Sequence, residues 1–176
     1  DGQSAALGVP GLTVSMRGLL ECDVELRTLS RDVHSGLFGG VAPDALTALV
    51  RLLGALHDAA GKVAVPGLRR SRPLDGVPDH EALAADAGLL DGVQLLGAGN
   101  PQAALWSEPS ITPIGIDAPS IGAARNALQA VAGARLSIRL APDDDPDRAF
   151  AAVRDFIERA TPWGAHVEVS RRASSR

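Results

Sequence analysis

The chain has 176 residues, of which 45% are hydrophobic and 3% aromatic, and its formal net charge is −4. This length suits one domain, and a domain of this size buries about 70% of its unfolded surface. The acidic balance, without a basic stripe, argues against nucleic acid as a partner. No apolar run approaches the roughly 20 residues that a membrane span needs. A single cysteine, Cys22, excludes an internal disulfide framework and fits a reducing compartment, so we expect a cytoplasmic protein.

Residues 18–28 are the first regular element. Apolar and polar residues alternate there, which predicts a strand with one buried face in an antiparallel sheet covered on one side; the apolar positions are Leu20, Cys22, Val24 and Leu26. Residues 31–40, which include His34, follow as a polar loop. Three glycines in this loop permit positive-φ turns or the close approach of another group; they are Gly36, Gly39 and Gly40.

The next element is an amphipathic helix, predicted over residues 43–59. Its apolar residues recur at helical spacing, Pro43 suits the first turn, and Asp44 suits the positive end of the helix dipole. Gly61 marks its end, and residues 62–66 are expected to be a short extended piece.

The middle of the chain is less regular. Residues 68–78 are interpreted as a basic loop with prolines, and residues 80–90 as a second helix with an apolar side lined by Leu83, Ala84, Ala87 and Leu90. Residues 95–105 are interrupted by glycine and are not assigned to an element.

Three strands and one helix are predicted in the last third of the chain. The strands are residues 111–116, residues 132–140 and a closing strand at 165–170, with a turn of small residues at 118–124. The last helix begins after an acidic run and extends to about residue 160. A cation site is one interpretation of that run, but capping of the helix start is the better one; the acidic residues are Asp143, Asp144 and Asp145.

This order of elements predicts an α+β fold. Without the irregular middle it is β-α-β-β-α-β, which is the ferredoxin-like order. We therefore expect a two-layer sandwich, in which a four-stranded antiparallel sheet carries two main helices on one face.

The residues by themselves show no complete active site. The four histidines lie far apart and without metal-ligand spacing; they are His34, His57, His80 and His166. No G-x-S-x-G motif supports serine hydrolase chemistry. Gly97-Ala98-Gly99 lacks the third glycine of a dinucleotide-binding turn. A plain interpretation of residues 31–40 is a glycine-rich connector that happens to contain a histidine.

Several motifs, in order along nearly the whole chain, point to one family. They are Asp32-Val33-His34-Ser35-Gly36-Leu37-Phe38-Gly39-Gly40, Pro43-Asp44-Ala45, Val63-Ala64-Val65-Pro66-Gly67, Trp106-Ser107-Glu108-Pro109, Gly115-Ile116-Asp117-Ala118-Pro119 and Ser137-Ile138-Arg139-Leu140-Ala141-Pro142. Together they resemble the dimerisation (lid) domain of the M20 family of zinc metallopeptidases (M20/M25/M40), in particular its dipeptidase and carnosinase-like branch.

The resemblance implies a two-domain dipeptidase or N-acyl amino acid amidohydrolase that forms a homodimer. Its catalytic domain would hold two zinc ions, and its lid would pair with the lid of a second subunit through sheet edges and helices. Residues 1–17 would lead in from the catalytic domain, residues 18–170 would form the lid, and residues 171–176 would be a tail. We expect no metal ligands in this segment and no hydrolysis by it alone.

The resemblance also implies roles for three residues. His34 would be catalytic, reaching across the dimer to stabilise the oxyanion that forms when the amide is attacked. Asn126 and Arg139 would bind substrate, Arg139 by gripping a terminal carboxylate with its planar fork. The alternative for Asn126 is an ordinary turn residue, and the alternative for Arg139 is an ordinary arginine on the exposed face of a strand. The chain departs from the family pattern in having no proline in Ala127-Leu128-Gln129.

The expected partners are a second copy of the chain and a small peptide or N-acyl amino acid, with neither nucleic acid nor a membrane. Two other functions stay open. One is a free-standing ferredoxin-like regulatory module that binds a small ligand, such as an amino acid, at a dimer interface. The other is a degenerate lid with a purely structural role.

Overall fold

The computed structural model describes residues 15–72, 80–96 and 101–175. The predicted four-stranded antiparallel sheet is confirmed; its strands are β1 (Gly18–Arg27), β3 (Ser110–Asp117), β5 (Val131–Leu140) and β6 (His166–Ser175). They lie in the order β3-β5-β1-β6. Two short strands pair separately; they are β2 (Val33–His34) and β4 (Ala127–Leu128).

The two longest described helices connect strands of the main sheet. The described helices are α1 (Ser35–Phe38), α2 (Ala45–Ala55), α3 (His80–Asp86), α4 (Pro101–Trp106) and α5 (Pro146–Ala160). Helices α2 and α5 contact each other and pack on the sheet, so β1-α2-β3-β5-α5-β6 is the predicted ferredoxin-like order. Over the part of the chain that the structure describes, no helix has the length and apolarity to cross a membrane, and the cytoplasmic location stays a prediction.

The core lies between the sheet and helices α2 and α5. Alternate residues of the two central strands face it and are almost completely buried; they are Leu20, Cys22, Val24, Leu26, Ala132, Leu136, Ile138 and Leu140. The helices contribute Leu49, Leu52, Val153 and Ile157. The period of two in the sequence therefore corresponds to a buried face and a polar face, as predicted.

Helix α2 is shorter than the predicted residues 43–59. Asp44 is its N-cap and accepts a hydrogen bond from Thr47 N at 2.7 Å, so Pro43 precedes the helix instead of lying in its first turn. After the helix, the Asp58 carboxylate accepts two backbone hydrogen bonds of 2.9 Å from the following residues. These bonds form a turn, and the helix therefore ends early.

The helix predicted at residues 80–90 is confirmed only in its first part. Helix α3 ends at Asp86, Gly88 follows with a φ of +66°, and Leu90 is 77% exposed instead of lining an apolar side. Helix α4 occupies part of the unassigned residues 95–105. Parts of two predicted features lie outside the described residues; they are positions 1–14 of the lead-in predicted at 1–17 and positions 73–78 of the basic loop predicted at 68–78. The rejected motif Gly97-Ala98-Gly99 also lies outside them.

The closing strand is longer than the predicted residues 165–170. Strand β6 continues to Ser175, which pairs with Leu19 of β1, so most of the expected tail at residues 171–176 is strand. Backbone pairing with β1 extends the strand beyond the alternating residues on which the prediction rested.

The acidic residues before α5 have different roles. Asp145 is the N-cap of α5 and accepts two backbone hydrogen bonds of 3.0 and 2.9 Å from the first turn, as the capping interpretation predicts. Asp144 is buried, and its carboxylate accepts bonds from Arg69 N at 2.9 Å and from the Arg148 guanidinium. Asp144 therefore ties residues 67–72 to the start of α5.

We expect Asp144→Ala to lower the free energy of unfolding by about 2 kcal/mol, because it leaves the Arg69 N–H without its acceptor and removes the partner of Arg148. Asp155→Ala, at a half-exposed position on α5, is the matched control and should change stability by less than about 0.5 kcal/mol. Urea unfolding measures both. Equal, small losses in the two variants would contradict the anchoring role.

Candidate functional site

His34 is held so that one ring nitrogen is free to donate. It is the N-cap of α1, and its Nδ1 accepts a hydrogen bond from Gly36 N at 3.0 Å. In a neutral imidazole, a ring whose Nδ1 accepts carries its proton on Nε2. The side chain is exposed, so Nε2–H can donate to a group outside the chain.

The glycines beside His34 permit close approach. A Cβ on Gly36 would lie 3.0 and 3.1 Å from Cε1 and Nδ1 of the His34 ring, and a Cβ on Gly39 would lie 2.4 Å from Ser35 O. Of the glycines in the loop, Gly40 has a positive φ, +83°. The loop therefore uses both properties of glycine that its sequence predicts.

Asn126 lies next to His34. The Asn126 carbonyl accepts a hydrogen bond from Ser35 N at 3.0 Å, and the following residue, Ala127, pairs with His34 in the two-stranded sheet. The structure thus brings together two of the three predicted site residues. The Asn126 side chain is exposed on the same part of the surface.

Two carboxylates hold the segment after Asn126 in place. The Asp44 carboxylate accepts a bond from Gln129 N at 2.6 Å, and the Asp32 carboxylate accepts one from Ala130 N at 2.9 Å. These bonds fix the segment that has no family proline. The sequence pattern predicts only a helix role for Asp44 and none for Asp32, because their partners are 85 and 98 residues away in the chain.

Arg139 lies at the opposite end of the sheet. Strand β5 begins at Val131, close to the segment that contains Asn126, and Arg139 lies near its end. The backbone distance from Val131 to Arg139 along the strand is about 27 Å. One protomer therefore cannot bring Arg139 to the same small substrate group as His34.

Other arginines on the outer face of the sheet are paired with a carboxylate. Arg135 donates two hydrogen bonds to Asp23, at 2.6 and 2.9 Å, and Arg172 approaches the same carboxylate at 3.2 Å. The hydrogen bond from Arg135 holds the pKa of Asp23 below its ordinary value, assisted by the positive charges of both arginines. Arg139, by contrast, has no ion pair among the described residues.

The described residues offer no metal centre, and the Cys22 thiol is not an activated nucleophile. No three His, Cys, Asp or Glu side chains among them come close enough to hold a metal ion. His57 Nε2 lies 3.0 Å from the carbonyl oxygen of Ile111 and is a structural contact. Burial raises the pKa of the Cys22 thiol to about 12, so it stays a neutral core group. The site can donate hydrogen bonds and bind anions.

Apolar side chains surround the His34 loop. Leu37 and Val41 are 78% and 88% exposed, and Trp163 is 56% exposed beside Leu128 and the residues that begin α2. Exposed apolar groups clustered in this way mark a contact surface.

Comparison with known families decides what kind of domain this is. The model of the M20 peptidase dimerisation domain matches residues 14–165. The chain belongs to this family. The cysteinylglycine-S-conjugate dipeptidase of Corynebacterium striatum is 36% identical to it over 173 residues, which are 97% of the chain and 38% of that relative. The chain thus spans well under half of the relative's length.

Solved structures of M20 peptidases contain the same fold as this dimerisation domain. The dipeptidase Dug1p of Saccharomyces cerevisiae is 24% identical, with a TM-score of 0.75 over 94% of this chain and 37% of that chain. Human carnosine dipeptidase 1 is 23% identical, with a TM-score of 0.69 over 93% and 39% of the two chains. These similarities confirm the α+β fold predicted from the sequence.

Gly36→Ala is expected to displace the His34 ring, because the new Cβ would press on Cε1 and Nδ1 and weaken the bond from the backbone of residue 36. Nitrogen chemical shifts of the imidazole, measured by NMR, should show the loss of the Nδ1 acceptor. Gly54→Ala, in α2 with open space around its Cβ, should leave these shifts unchanged. Unchanged His34 shifts in both variants would contradict the fixed ring.

Proposed function

We propose that the chain is the dimerisation and substrate-capping domain of a di-zinc M20 dipeptidase or N-acyl amino acid amidohydrolase. In this proposal His34 of one subunit stabilises the oxyanion in the active site of its partner. The observation that carries it is the separation of two exposed groups: the imidazole donor of His34 lies beyond the Val131 end of strand β5, and Arg139, which has no ion pair among the described residues, lies near the other end.

The positions of the outer ends of β1 and β6 support the proposal that the two subunits contribute different residues to one active site. Gly18 pairs with Leu140 and Leu19 pairs with Ser175, so both outer strand ends lie at the Arg139 end of the sheet. A catalytic domain joined there would be near Arg139 of its own lid and about 27 Å from its own His34. Arg139 would therefore serve its own subunit, and His34 with Asn126 would serve the partner.

The chemistry needed from His34 is donation of a hydrogen bond. A donor fixed where negative charge develops contributes roughly 10² to 10³ in rate. The Nδ1 bond to Gly36 N keeps the proton on Nε2 and fixes the ring, which suits this task. Asn126 would add a second polar contact to the same substrate, since its backbone is bonded to the residue after His34.

Arg139 fits the substrate class of the relatives. They are named as dipeptidases, and a dipeptide ends in a free carboxylate, which a guanidinium binds through two hydrogen bonds. The proposed zinc ions would lie in the catalytic domain and supply the activated water. In this proposal the segment alone would be inactive, because the zinc ligands would belong to the catalytic domain.

The proposed dimer would form at the β3 edge of the sheet. Ile116 is opposite the buried Ala134 and therefore faces the helix layer, yet it is 53% exposed because α2 does not cover it. Val50, on α2, is 57% exposed. The other edge, β6, carries exposed Glu168 and Arg171, charges that discourage pairing of edges. A partner's β3 and α2 would cover the apolar surface.

In the full-length enzyme, His34→Ala and Arg139→Ala should each reduce kcat/KM by about 10²-fold or more. Mixed dimers of the two variants should regain activity, because one of their two active sites would combine an intact Arg139 with an intact His34 from the partner. Co-purification with two different tags isolates the mixed dimer for kinetic measurement.

His80→Ala, which removes an exposed histidine at the start of α3, is the matched control and should keep full activity. Zinc content should be the same in all variants. A mixed dimer as inactive as its parents would contradict the division between subunits, and an active His34→Ala homodimer would contradict the role of His34.

Ile116→Lys should weaken dimerisation at least about tenfold, because it places a charge in the apolar part of the proposed interface. Glu168→Lys, on the other edge strand, should leave the association constant unchanged. Sedimentation equilibrium measures both. Dimers weakened by Glu168→Lys and unaffected by Ile116→Lys would place the interface at β6 instead.

A further inference from the structure

A second guanidinium stands beside Arg139 on the outer face of the sheet. Arg17 directly precedes β1, and two residues later Leu19 is opposite Arg139. The β1–β5 register therefore places residue 17 one position beyond the pair Gly18–Leu140, with about 7–8 Å between the backbones of Arg17 and Arg139. Burial, and then the positive charge of Arg139, lower the pKa of Arg17, which agrees with this proximity.

Neither cation has a carboxylate partner among the described residues. The half-buried Arg17 makes one long hydrogen bond, from Nη1 to Ala104 O at 3.5 Å. Glu21 is on the same face but forms no ion pair with either guanidinium. Arg135 and Arg172 of this face, in contrast, share Asp23. Two neighbouring positive charges, one of them partly desolvated, are therefore left without compensation at the end of the sheet where substrate is proposed to bind.

We propose that Arg17 and Arg139 form one binding site for the terminal carboxylate of the substrate, with Arg17 as a specificity-determining residue. This inference rests on the proposed function, which supplies the substrate. A carboxylate has about four acceptor positions, more than one guanidinium fork fills. An anion between the two arginines replaces their repulsion by two attractive contacts. A carboxamide is uncharged and cannot compensate the two positive charges, so the site would reject a substrate that ends in a carboxamide.

The test compares the best dipeptide substrate of a panel that includes cysteinylglycine with its C-terminal carboxamide, using full-length enzyme. Arg17→Gln should lower kcat/KM for the dipeptide by about 10- to 100-fold, mainly through KM, and change that for the carboxamide by less than about twofold. Arg17→Lys, which keeps the charge but not the fork, should show a smaller loss. Arg154→Gln, an exposed arginine on α5, is the control and should change neither substrate.

Three results would overturn the inference. Equal losses on both substrates, with a lower Tm, would mean that the pair binds a carboxylate of the protein's own catalytic domain. Unchanged dipeptide kinetics in Arg17→Gln, while His34→Ala is impaired, would remove Arg17 from the site and leave the proposed function intact. A wild-type protein inactive on every dipeptide and every N-acyl amino acid tested would overturn the proposed function and this inference with it.

Discussion

The antiparallel register of β1 against β5 determines which groups the domain can present, and where. It pairs Gly18 with Leu140 and Arg27 with Val131, which commits each side chain of both strands to the core or to the outer face. A slip of one residue would bury Arg139 under the helices and expose the apolar residues that now form the core. Burial of the apolar alternation therefore also fixes the position of the arginine that we propose binds substrate.

Near the other end of the sheet, the His34 loop and the Asn126 segment are held by polar contacts instead of by burial. Under the proposed function, His34 must stay exposed to act on the partner's substrate, so apolar packing cannot fix it. Its ring is held by one backbone N–H, and the neighbouring Asn126 segment by the carboxylates of Asp32 and Asp44. A donor whose ring is fixed by a hydrogen bond, beside a backbone segment that is itself fixed, loses little freedom when it meets a developing charge, which is what oxyanion stabilisation requires.

Sequence patterns predict those features that depend on burial. The central strands and their faces follow from period-two alternation. The start of α2 does not depend on burial, so the sequence pattern left open whether the helix begins at Pro43 or after Asp44, its N-cap. The outer part of β6 has no alternation that could predict it, because it is held by backbone pairing with β1 and by ion pairs of Arg171 and Arg172. His34 was found through family resemblance. Arg17 was missed, since an arginine outside a motif has no local signal until the strand register places it beside Arg139.

Under the proposed arrangement, assembly and catalysis are thermodynamically linked. A separated subunit would keep its own Arg139 but lack the donor from its partner, so substrate that contacts both would bind the dimer more tightly and stabilise it by the same factor. The exposed Ile116 and the apolar side chains around the His34 loop would be buried in that step. Hydrophobic association of the two subunits would then also position His34 of each subunit in the active site of the other. A dimerisation domain would control activity in this way by contributing a polar group, His34, whose position matters more than its reactivity.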